Sequence, residues 1–448
     1  MRYRTTTAAA AVAAAGALLL AACSSGPSEN PTTSPTDSST DSATTEPSDN
    51  AGRTLTLWHY EGEDSAMAQG WNRAIEIFEE ETGAKVDLEI KTFEQINATA
   101  SQILNSDEAP DVMEYNKGNA TAGLLSQQGL LAPLDDAVAK YGWDTKLNEA
   151  LATTARYEDG VMGSGSWYGI PNYGEFVFLY LNKDLFAEHD IEIPTTFDEL
   201  TAAMDAFVAD GVTPMTSSAQ EYPLGQMWYQ LAISKADRDW VNAYQLYTDT
   251  VDWQGPEISF ATETLADWVA KGYLSTDIAG QAAEDAGVQF INGEFPMFFS
   301  GSWWYGRMLT EVTSFELGIS NFPGTTLTPG SSGNLWVVPE RSANKDLAEE
   351  FIDITMRPEI QAIIGNTGGL PVAAAVEDIT DPASQALIEL FNVVNERSGL
   401  AFYPDWATPT MYNDLNAALQ ELVNGTIDPA EFQSQLGEQY EAFVGPLR

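Results

Sequence analysis

Residues 54–90 decide the fold class, and they read TLTLWHYEGEDSAMAQGWNRAIEIFEEETGAKVDLEI. Leu55 and Leu57 alternate with polar residues, which predicts a short strand. Apolar residues then recur at helical spacing from Trp71, and Gly83 is placed to end that helix. A second alternating segment closes the stretch and predicts another strand. Strand–helix–strand order of this kind predicts an α/β fold whose sheets are mostly parallel and flanked by helices.

The same alternation continues along the chain. Residues 92–95 (TFEQ) form a capping box before a helical pattern, and residues 109–113 (APDVM) read as a buried strand. The pattern restarts with an apolar strand at 176–181 and a second capping box at 196–199 (TFDE). Residues 428–431 (DPAE) combine an N-cap, a first-turn proline and a glutamate, which predicts a terminal helix. A chain of 448 residues is long enough for two such α/β units.

Composition excludes several functions. The chain has 66 acidic and 20 basic residues, a formal charge of -46, which argues against a nucleic-acid partner. We attribute the charge to solubility in preference to a cationic ligand. One cysteine and two histidines leave little room for a metal site, so we expect no metal and no cofactor. The sequence contains no P-loop, no His-Glu-x-x-His pair and no Gly-x-Ser-x-Gly elbow.

The N-terminus has the pattern of an export signal. Residues 1–22 combine Arg2 and Arg4 with a short apolar run, and the run ends in Leu-Ala-Ala before Cys23. This ending resembles the bacterial lipobox, which implies a diacylglyceryl group on Cys23 and stable anchoring by acyl chains such as palmitate. Residues 23–52 are rich in Ser, Thr and Pro and predict a disordered tether. We therefore expect a body that is lipid-anchored at the extracellular face of the cytoplasmic membrane.

Short motifs of the folded part follow one another in a characteristic order. They are residues 79–83 (EEETG), 110–112 (PDV), 130–134 (LLAPL), 169–171 (GIP), 181–184 (LNKD), 301–303 (GSW), 345–351 (KDLAEEF) and 369–371 (GLP). Their order resembles that of the carbohydrate-binding lipoproteins of ABC importers, the maltose-binding-protein-like group. Each motif is common by itself, and the resemblance lies in the series.

The resemblance implies two α/β lobes joined by chain crossings that serve as a hinge. One lobe would hold residues 53–170 and 328–376, and the other would hold residues 171–327 and 377–448. A carbohydrate would bind in the cleft between the lobes and favour the closed form. The resemblance further implies a monomer without enzymatic activity, which would deliver its sugar to the permease subunits of an importer.

The residue types of the predicted site suit a sugar, which offers flat C–H faces to aromatic rings and hydroxyl groups to carboxylates and amides. Tyr60 and Glu61 follow the first strand directly, where ligands of α/β sheets meet the loops. The resemblance adds further candidates, with Trp303 in its Gly-Ser-Trp setting as a stacking residue. These added residues are Tyr115, Asn116, Glu175, Glu221, Tyr222, Trp228, Trp303, Asn334, Trp406 and Tyr412.

Two other functions remain open from the sequence. A secreted glycoside hydrolase also needs aromatic residues and a pair of carboxyl groups, and 66 acidic residues make a chance pair unremarkable. A serine triad that uses His59 or His189 has no supporting motif. A receptor for a peptide or another non-sugar solute is the second alternative.

Overall fold

The computed structural model describes residues 50–147, 149–374 and 376–448. The predicted signal peptide, the lipobox with Cys23 and nearly all of the predicted tether lie outside the described residues. Pro47–Arg448 is one compact unit by its internal contacts. The described residues are therefore essentially those of the folded body.

The elements alternate along the chain in the manner predicted. The strands are β1 (Thr54–His59), β2 (Lys85–Ile90), β3 (Val112–Tyr115), β4 (Arg156–Glu158), β5 (Val161–Met162), β6 (Ser166–Trp167), β7 (Ile170–Pro171), β8 (Tyr173–Asn182), β9 (Met215–Thr216), β10 (Met297–Gly301), β11 (Leu317–Ser320), β12 (Gly330–Ser332), β13 (Leu335–Val337) and β14 (Leu370–Pro371). The α-helices are α1 (Ala66–Thr82), α2 (Phe93–Leu104), α3 (Leu124–Gln127), α4 (Asp135–Tyr141), α5 (Glu149–Thr153), α6 (Lys183–Glu188), α7 (Phe197–Ala209), α8 (Tyr222–Ile233), α9 (Arg238–Leu246), α10 (Pro256–Ala270), α11 (Ala283–Ile291), α12 (Tyr305–Glu311), α13 (Lys345–Thr355), α14 (Pro358–Asn366), α15 (Pro382–Glu396), α16 (Met411–Val423) and α17 (Pro429–Val444).

The first sheet has the strand order β2-β1-β3-β13-β7. Its strand β1 runs parallel to β2 and β3, and the side chains of Leu55 and Leu57 are fully buried. Helix α1 packs on α13 and α14, so residues from 345 onward cover a sheet that begins at residue 54. Two distant parts of the chain therefore build one layer.

The second sheet is organised around β8, whose ten residues are all buried. The order β11-β8-β10-β9 runs through it, and β12 and β14 pair with the beginning of β8. Residues 323–333 lead from β11 of this sheet through β12 to β13 of the first sheet. The two-lobed α/β fold is confirmed.

The strand directions differ from the prediction of mostly parallel sheets. Strand β8 pairs antiparallel with β10, β11, β12 and β14, and only β9 runs parallel to its neighbour β10. In the first sheet, β13 is antiparallel to both β3 and β7. Parallel neighbours are usually joined by a helical crossover within one sheet. A strand that arrives from the other sheet has no such connection to its neighbours and can pair antiparallel, so both of these sheets are mixed.

The predicted helix starts and the predicted helix end, which depend only on residues close in sequence, are confirmed. Capping boxes begin α2 at Thr92, α7 at Thr196 and α17 at Asp428. Gly83 ends α1 with φ of 72°. The predicted strand at 109–113 begins later, at Val112, because Pro110 lacks an N–H and the side chain of Asp111 instead accepts hydrogen bonds from Thr56.

Within the residues that the structure describes, no helix is both long enough and apolar enough to cross a membrane. The same residues contain no group of three His, Cys, Asp or Glu side chains arranged to hold a metal ion.

Candidate functional site

A cavity of about 810 Å³ opens between the edge of the first sheet and elements of the second. Ten of the twelve predicted contact residues line it, and they come from the segments after β1, β3, β9 and β10, from β8, from the β12–β13 connection and from the start of α16 with the turn before it. These residues are Tyr60, Glu61, Asn116, Glu175, Glu221, Tyr222, Trp303, Asn334, Trp406 and Tyr412. The cavity thus collects residues that are up to 352 positions apart in the sequence.

Tyr115 and Trp228 do not line the cavity, and we correct both assignments to core residues. Tyr115 is the last residue of β3, and burial raises the pKa of its hydroxyl. Trp228 is fully buried and donates its indole N–H to Thr262 Oγ1 at 3.0 Å. Its ring packs against Phe432, so it holds α8 to the neighbouring helices.

Lys117 is a central residue that the sequence analysis missed. It is buried, and its ammonium group pairs with the carboxylate of Glu175 and donates to Asn334 Oδ1 at 3.1 Å. The ammonium also lies 5.4 Å from the ring centre of Tyr403 and 5.3 Å from that of Trp406. Its position directly after the predicted Asn116 was the one available signal. Glu61, Lys117, Glu175 and Asn334 are called the deep end of the cavity below.

A network of hydrogen bonds lies behind the deep end. The buried carboxylate of Glu114 accepts from the backbone N–H of Tyr60 at 3.1 Å, from the hydroxyl of Tyr173 at 3.3 Å and from Asn334 Nδ2 at 3.3 Å. Asn334 Nδ2 also donates to the Tyr173 hydroxyl at 2.8 Å. Burial, followed by the charge of Glu61, raises the pKa of Glu114 well above its usual value. This network fixes the orientation of Asn334 towards Lys117.

Glu61 projects into the cavity from the loop between β1 and α1. Its backbone N–H donates to His59 Nδ1 at 3.2 Å, and its side chain is only 8% exposed. Burial raises the pKa of Glu61 to about 7, while contact with Ser65 and the charge of Lys117 lower it. Burial likewise raises the pKa of Asp405, at the opposite wall, to about 6.

Aromatic rings form the second component of the cavity wall. Trp303 is half-buried and donates its indole N–H to the Tyr222 hydroxyl at 3.3 Å. Its ring centre lies 6.3 Å from that of Tyr403 at an angle of 55°. Gly301 is required here, since a Cβ at that position would lie 1.9 Å from the Trp303 ring. Trp304 packs on Phe298 and reaches the cavity only with part of its ring.

The cavity mouth is bounded by α2 on one side and α16 on the other. The ring of Phe93 at the start of α2 lies 6.5 Å from that of Tyr412 in α16. Glu221 contributes mainly to the wall itself, because its carboxylate accepts from the backbone N–H of Ala283 at 2.6 Å and so joins the starts of α8 and α11. The mouth therefore joins helices attached to both sheets.

Comparisons with known proteins agree with this architecture. A family model described as bacterial extracellular solute-binding protein matches residues 73–392. The diacetylchitobiose binding protein DasA of Streptomyces coelicolor is 26% identical over 71% of this chain and 73% of that protein. A maltooligosaccharide ABC transporter solute-binding lipoprotein of Streptococcus pneumoniae is 24% identical over 76% of this chain and 78% of its own. A solved chitin oligosaccharide binding protein superposes with a TM-score of 0.75 at 22% identity, over 88% of this chain and 99% of that one.

The buried ion pair leads to a stability prediction. Lys117→Met leaves the carboxylate of Glu175 buried without its cation, so we expect the free energy of unfolding to fall by about 3–5 kcal/mol. The double variant Lys117→Met/Glu175→Gln removes both charges and should recover most of this loss. Urea-induced unfolding measures both values.

Lys85→Met is the matched control, because Lys85 pairs with Glu79 at the surface and exposed pairs contribute about 0–1 kcal/mol. Equal losses in Lys117→Met and Lys85→Met would contradict the prediction.

The loop after Lys117 leads to a second prediction. Gly118 has φ of +104°, and a Cβ there would lie 2.5 Å from the Trp406 ring. Gly129 also has a positive φ, of +68°, but a Cβ there would meet nothing within 4 Å. We expect Gly129→Ala to cost about 1–2 kcal/mol of backbone strain, and Gly118→Ala to cost about 1–3 kcal/mol more because the indole must move. Chemical denaturation of the two variants checks the difference, and identical midpoints would refute it.

Proposed function

Because this chain belongs to the family of bacterial extracellular solute-binding proteins, we propose that it is a carbohydrate receptor that delivers its ligand to the permease of an ABC importer. The observation that carries the proposal is the cavity, where aromatic rings and buried polar groups from both sheets face one space of about 810 Å³. That volume suits an oligosaccharide of a few residues. The names of the diacetylchitobiose-binding relative and of the maltooligosaccharide ABC transporter solute-binding lipoprotein support the ligand class.

The composition of the cavity wall supports sugar binding in chemical terms. Tyr60, Trp303, Trp406 and Tyr412 offer ring faces, and the deep end offers carboxylate, ammonium and amide groups for hydroxyls. The ten cavity residues predicted from the sequence are proposed as ligand contacts, with Lys117 added to them. The network around Glu114 holds several of these groups in place before a ligand arrives, which reduces the entropy that binding must overcome.

We propose the lobe limits given by the resemblance, 53–170 with 328–376 and 171–327 with 377–448. Support comes from the two separate sheets and from β12 and β14, which both pair with the start of β8 where the chain passes between them. Sugar contacts made by both lobes at once would favour closure about these crossings. Closure would allow a permease to distinguish the ligand-bound receptor from the open, empty receptor.

The membrane attachment is also a proposal. Residues 1–22 would serve as the export signal, and Cys23 would carry the lipid that holds a monomeric body at the extracellular face of the cytoplasmic membrane. The pneumococcal relative is named a lipoprotein, which supports this assignment. The tether up to residue 52 would leave the cavity free to meet both its sugar and its permease.

The experiment that tests the function is a thermal-shift screen of the folded body against a panel of oligosaccharides, followed by chromatography of the bound sugar. Ligand that binds only the folded state raises the melting temperature by mass action. A receptor returns the sugar intact, whereas a glycoside hydrolase yields shorter products. Absence of a shift with every carbohydrate tested, together with a shift from a peptide, would replace the proposal with the non-sugar alternative.

Trp303 provides the sharpest test of how the sugar is held. We expect Trp303→Ala to weaken the affinity for the bound sugar by about 2 kcal/mol or more, because a half-buried indole in the wall is a typical anchor. Isothermal titration calorimetry measures the change. Tyr141→Ala is the control, since Tyr141 stacks on Trp143 at 5.0 Å outside the cavity. A Trp303→Ala variant that binds as tightly as the Tyr141→Ala variant would remove the stacking role.

A further inference from the structure

The deep end of the cavity holds more buried carboxyl groups than cations. Glu61 and Glu175 are buried and line the cavity, the buried Glu114 bonds to Asn334 behind them, and the half-buried Asp405 also lines the cavity. Lys117 is the cation of the deep end, and its ammonium group is already bound to Glu175 and Asn334. One lysine therefore pairs with one carboxyl group, and the described residues provide no ion-pair partner for the others.

The remaining cations of the wall are also engaged. Arg307 pairs with Glu284 at 2.6 Å and with Glu311 at 2.8 Å. Lys91, which also lines the cavity, pairs with Glu89 at 2.6 Å. Among the described residues, no Lys or Arg nitrogen lies within 4.0 Å of the carboxylates of Glu61 or Asp405. These two acids border the cavity without a basic partner.

Burying a carboxylate without a cation is energetically unfavourable, and the raised pKa values of the acids in the cavity reflect this. Burial is the largest cause of the raised pKa of Glu61, at about 7, and of Asp405, at about 6. Each group would gain more from a bound cation than from a neutral hydroxyl, because a charge-assisted hydrogen bond is roughly twice as strong as a neutral one. The site is therefore electrostatically complementary to a positive ligand.

The aromatic wall is complementary to a cation as well. The ammonium of Lys117 lies above the rings of Tyr403 and Trp406, so this part of the wall already stabilises one cation through ring faces. The Tyr403 hydroxyl is itself buried, beside Glu175. Rings that pack on pyranose faces and carboxylates that bind an ammonium group occur here in the same cavity.

We propose that the preferred ligand is an amino sugar, an oligosaccharide whose protonated primary amine pairs with the carboxylate of Glu61 and is further attracted by Asp405. The proposal rests on the proposed function and specifies its substrate class. An N-acetylated sugar lacks the positive charge, and its acetamide group cannot replace the ion pair. A neutral hydroxyl sugar leaves both acids without a counter-ion.

The proton balance of this binding step follows from the groups that face Glu61. These groups are Glu114 from β3, Glu175 from β8, Lys117 and the buried ring of His59. Burial lowers the pKa of His59 to about 4, so its ring is neutral at the pH of the experiment. At about pH 6 the free protein holds a proton on Glu61, since that pH lies below its pKa. Pairing with an ammonium group favours the carboxylate, so the proton leaves to solvent as the amine binds. As long as the amine stays protonated, its affinity should rise as the pH increases towards the pKa of Glu61.

The test compares three trimers of the same linkage: one of glucosamine, one of N-acetylglucosamine and one of glucose. We expect the glucosamine trimer to bind at least about 10-fold more tightly than the other two at pH 6.5 in about 0.5 M NaCl, where bulk charge is screened. Calorimetry in two buffers of different ionisation enthalpy should show proton release with this trimer alone.

Two variants assign the preference to the cavity. Glu61→Gln should reduce affinity for the glucosamine trimer at least about 10-fold and abolish the proton release, with little change for the neutral trimers. Asp405→Asn should act in the same direction with a smaller effect. Glu108→Gln removes the same charge from an exposed loop outside the cavity and should change neither quantity.

The outcomes distinguish a failure of the amino-sugar assignment from a failure of the proposed carbohydrate receptor. Equal or tighter binding of a neutral trimer overturns the amino-sugar assignment and leaves the carbohydrate receptor intact. An amine preference that persists in both Glu61→Gln and Asp405→Asn also overturns it. Failure of all three trimers and of every sugar in the wider panel counts against the proposed function itself.

Discussion

The buried contact of Lys117 with Glu175 and Asn334 is the constraint on which the arrangement of the site depends. Lys117 follows β3 of the first sheet, Glu175 lies near the start of β8 of the second sheet, and Asn334 lies in the crossing between β12 and β13. Two chain segments that pass between the sheets therefore meet the loop after β3 at one ammonium group. Breaking a buried ion pair is strongly destabilising, so the pair holds these segments in a fixed relative position. Local motion about the crossings must leave it intact.

The network behind this contact turns a fixed position into a defined binding surface. Glu114 bonds to the backbone of Tyr60 and to the side chains of Tyr173 and Asn334, so one carboxyl group orients residues from three parts of the chain. In a medium of low dielectric constant such linked bonds reinforce one another. The deep end is therefore arranged before a ligand enters, whereas α2 and α16 meet beside the cavity through the ring contact of Phe93 with Tyr412. A fixed deep end and a ring contact between α2 and α16 agree with the proposed closure of the cavity on its ligand.

How much the sequence predicts depends on how far apart the interacting residues lie. The capping boxes at Thr92 and Thr196 and the stop at Gly83 are confirmed because each involves residues within one helical turn. The strand directions were predicted less well, since they depend on which segment crosses between sheets. The role of Lys117 was missed because its partners are 58 and 217 positions away. The resemblance to a family supplied eight of the ten cavity residues, yet it also included Trp228, which is fully buried within helix α8.

The site is identifiable from its energetics as well as from its relatives. Elsewhere in the described body, the capping boxes, the burial of β8 and the surface ion pairs agree with ordinary stability rules. At the deep end, buried carboxyl groups outnumber their cations, and burial raises the pKa of Glu61, Glu114 and Glu175 together. A fold retains such a cost where a ligand offsets it, so local departures from stability rules concentrate at functional sites. The excess is of one sign and lies within a wall of aromatic rings, so the same cost that weakens the empty protein gives the cavity its selectivity.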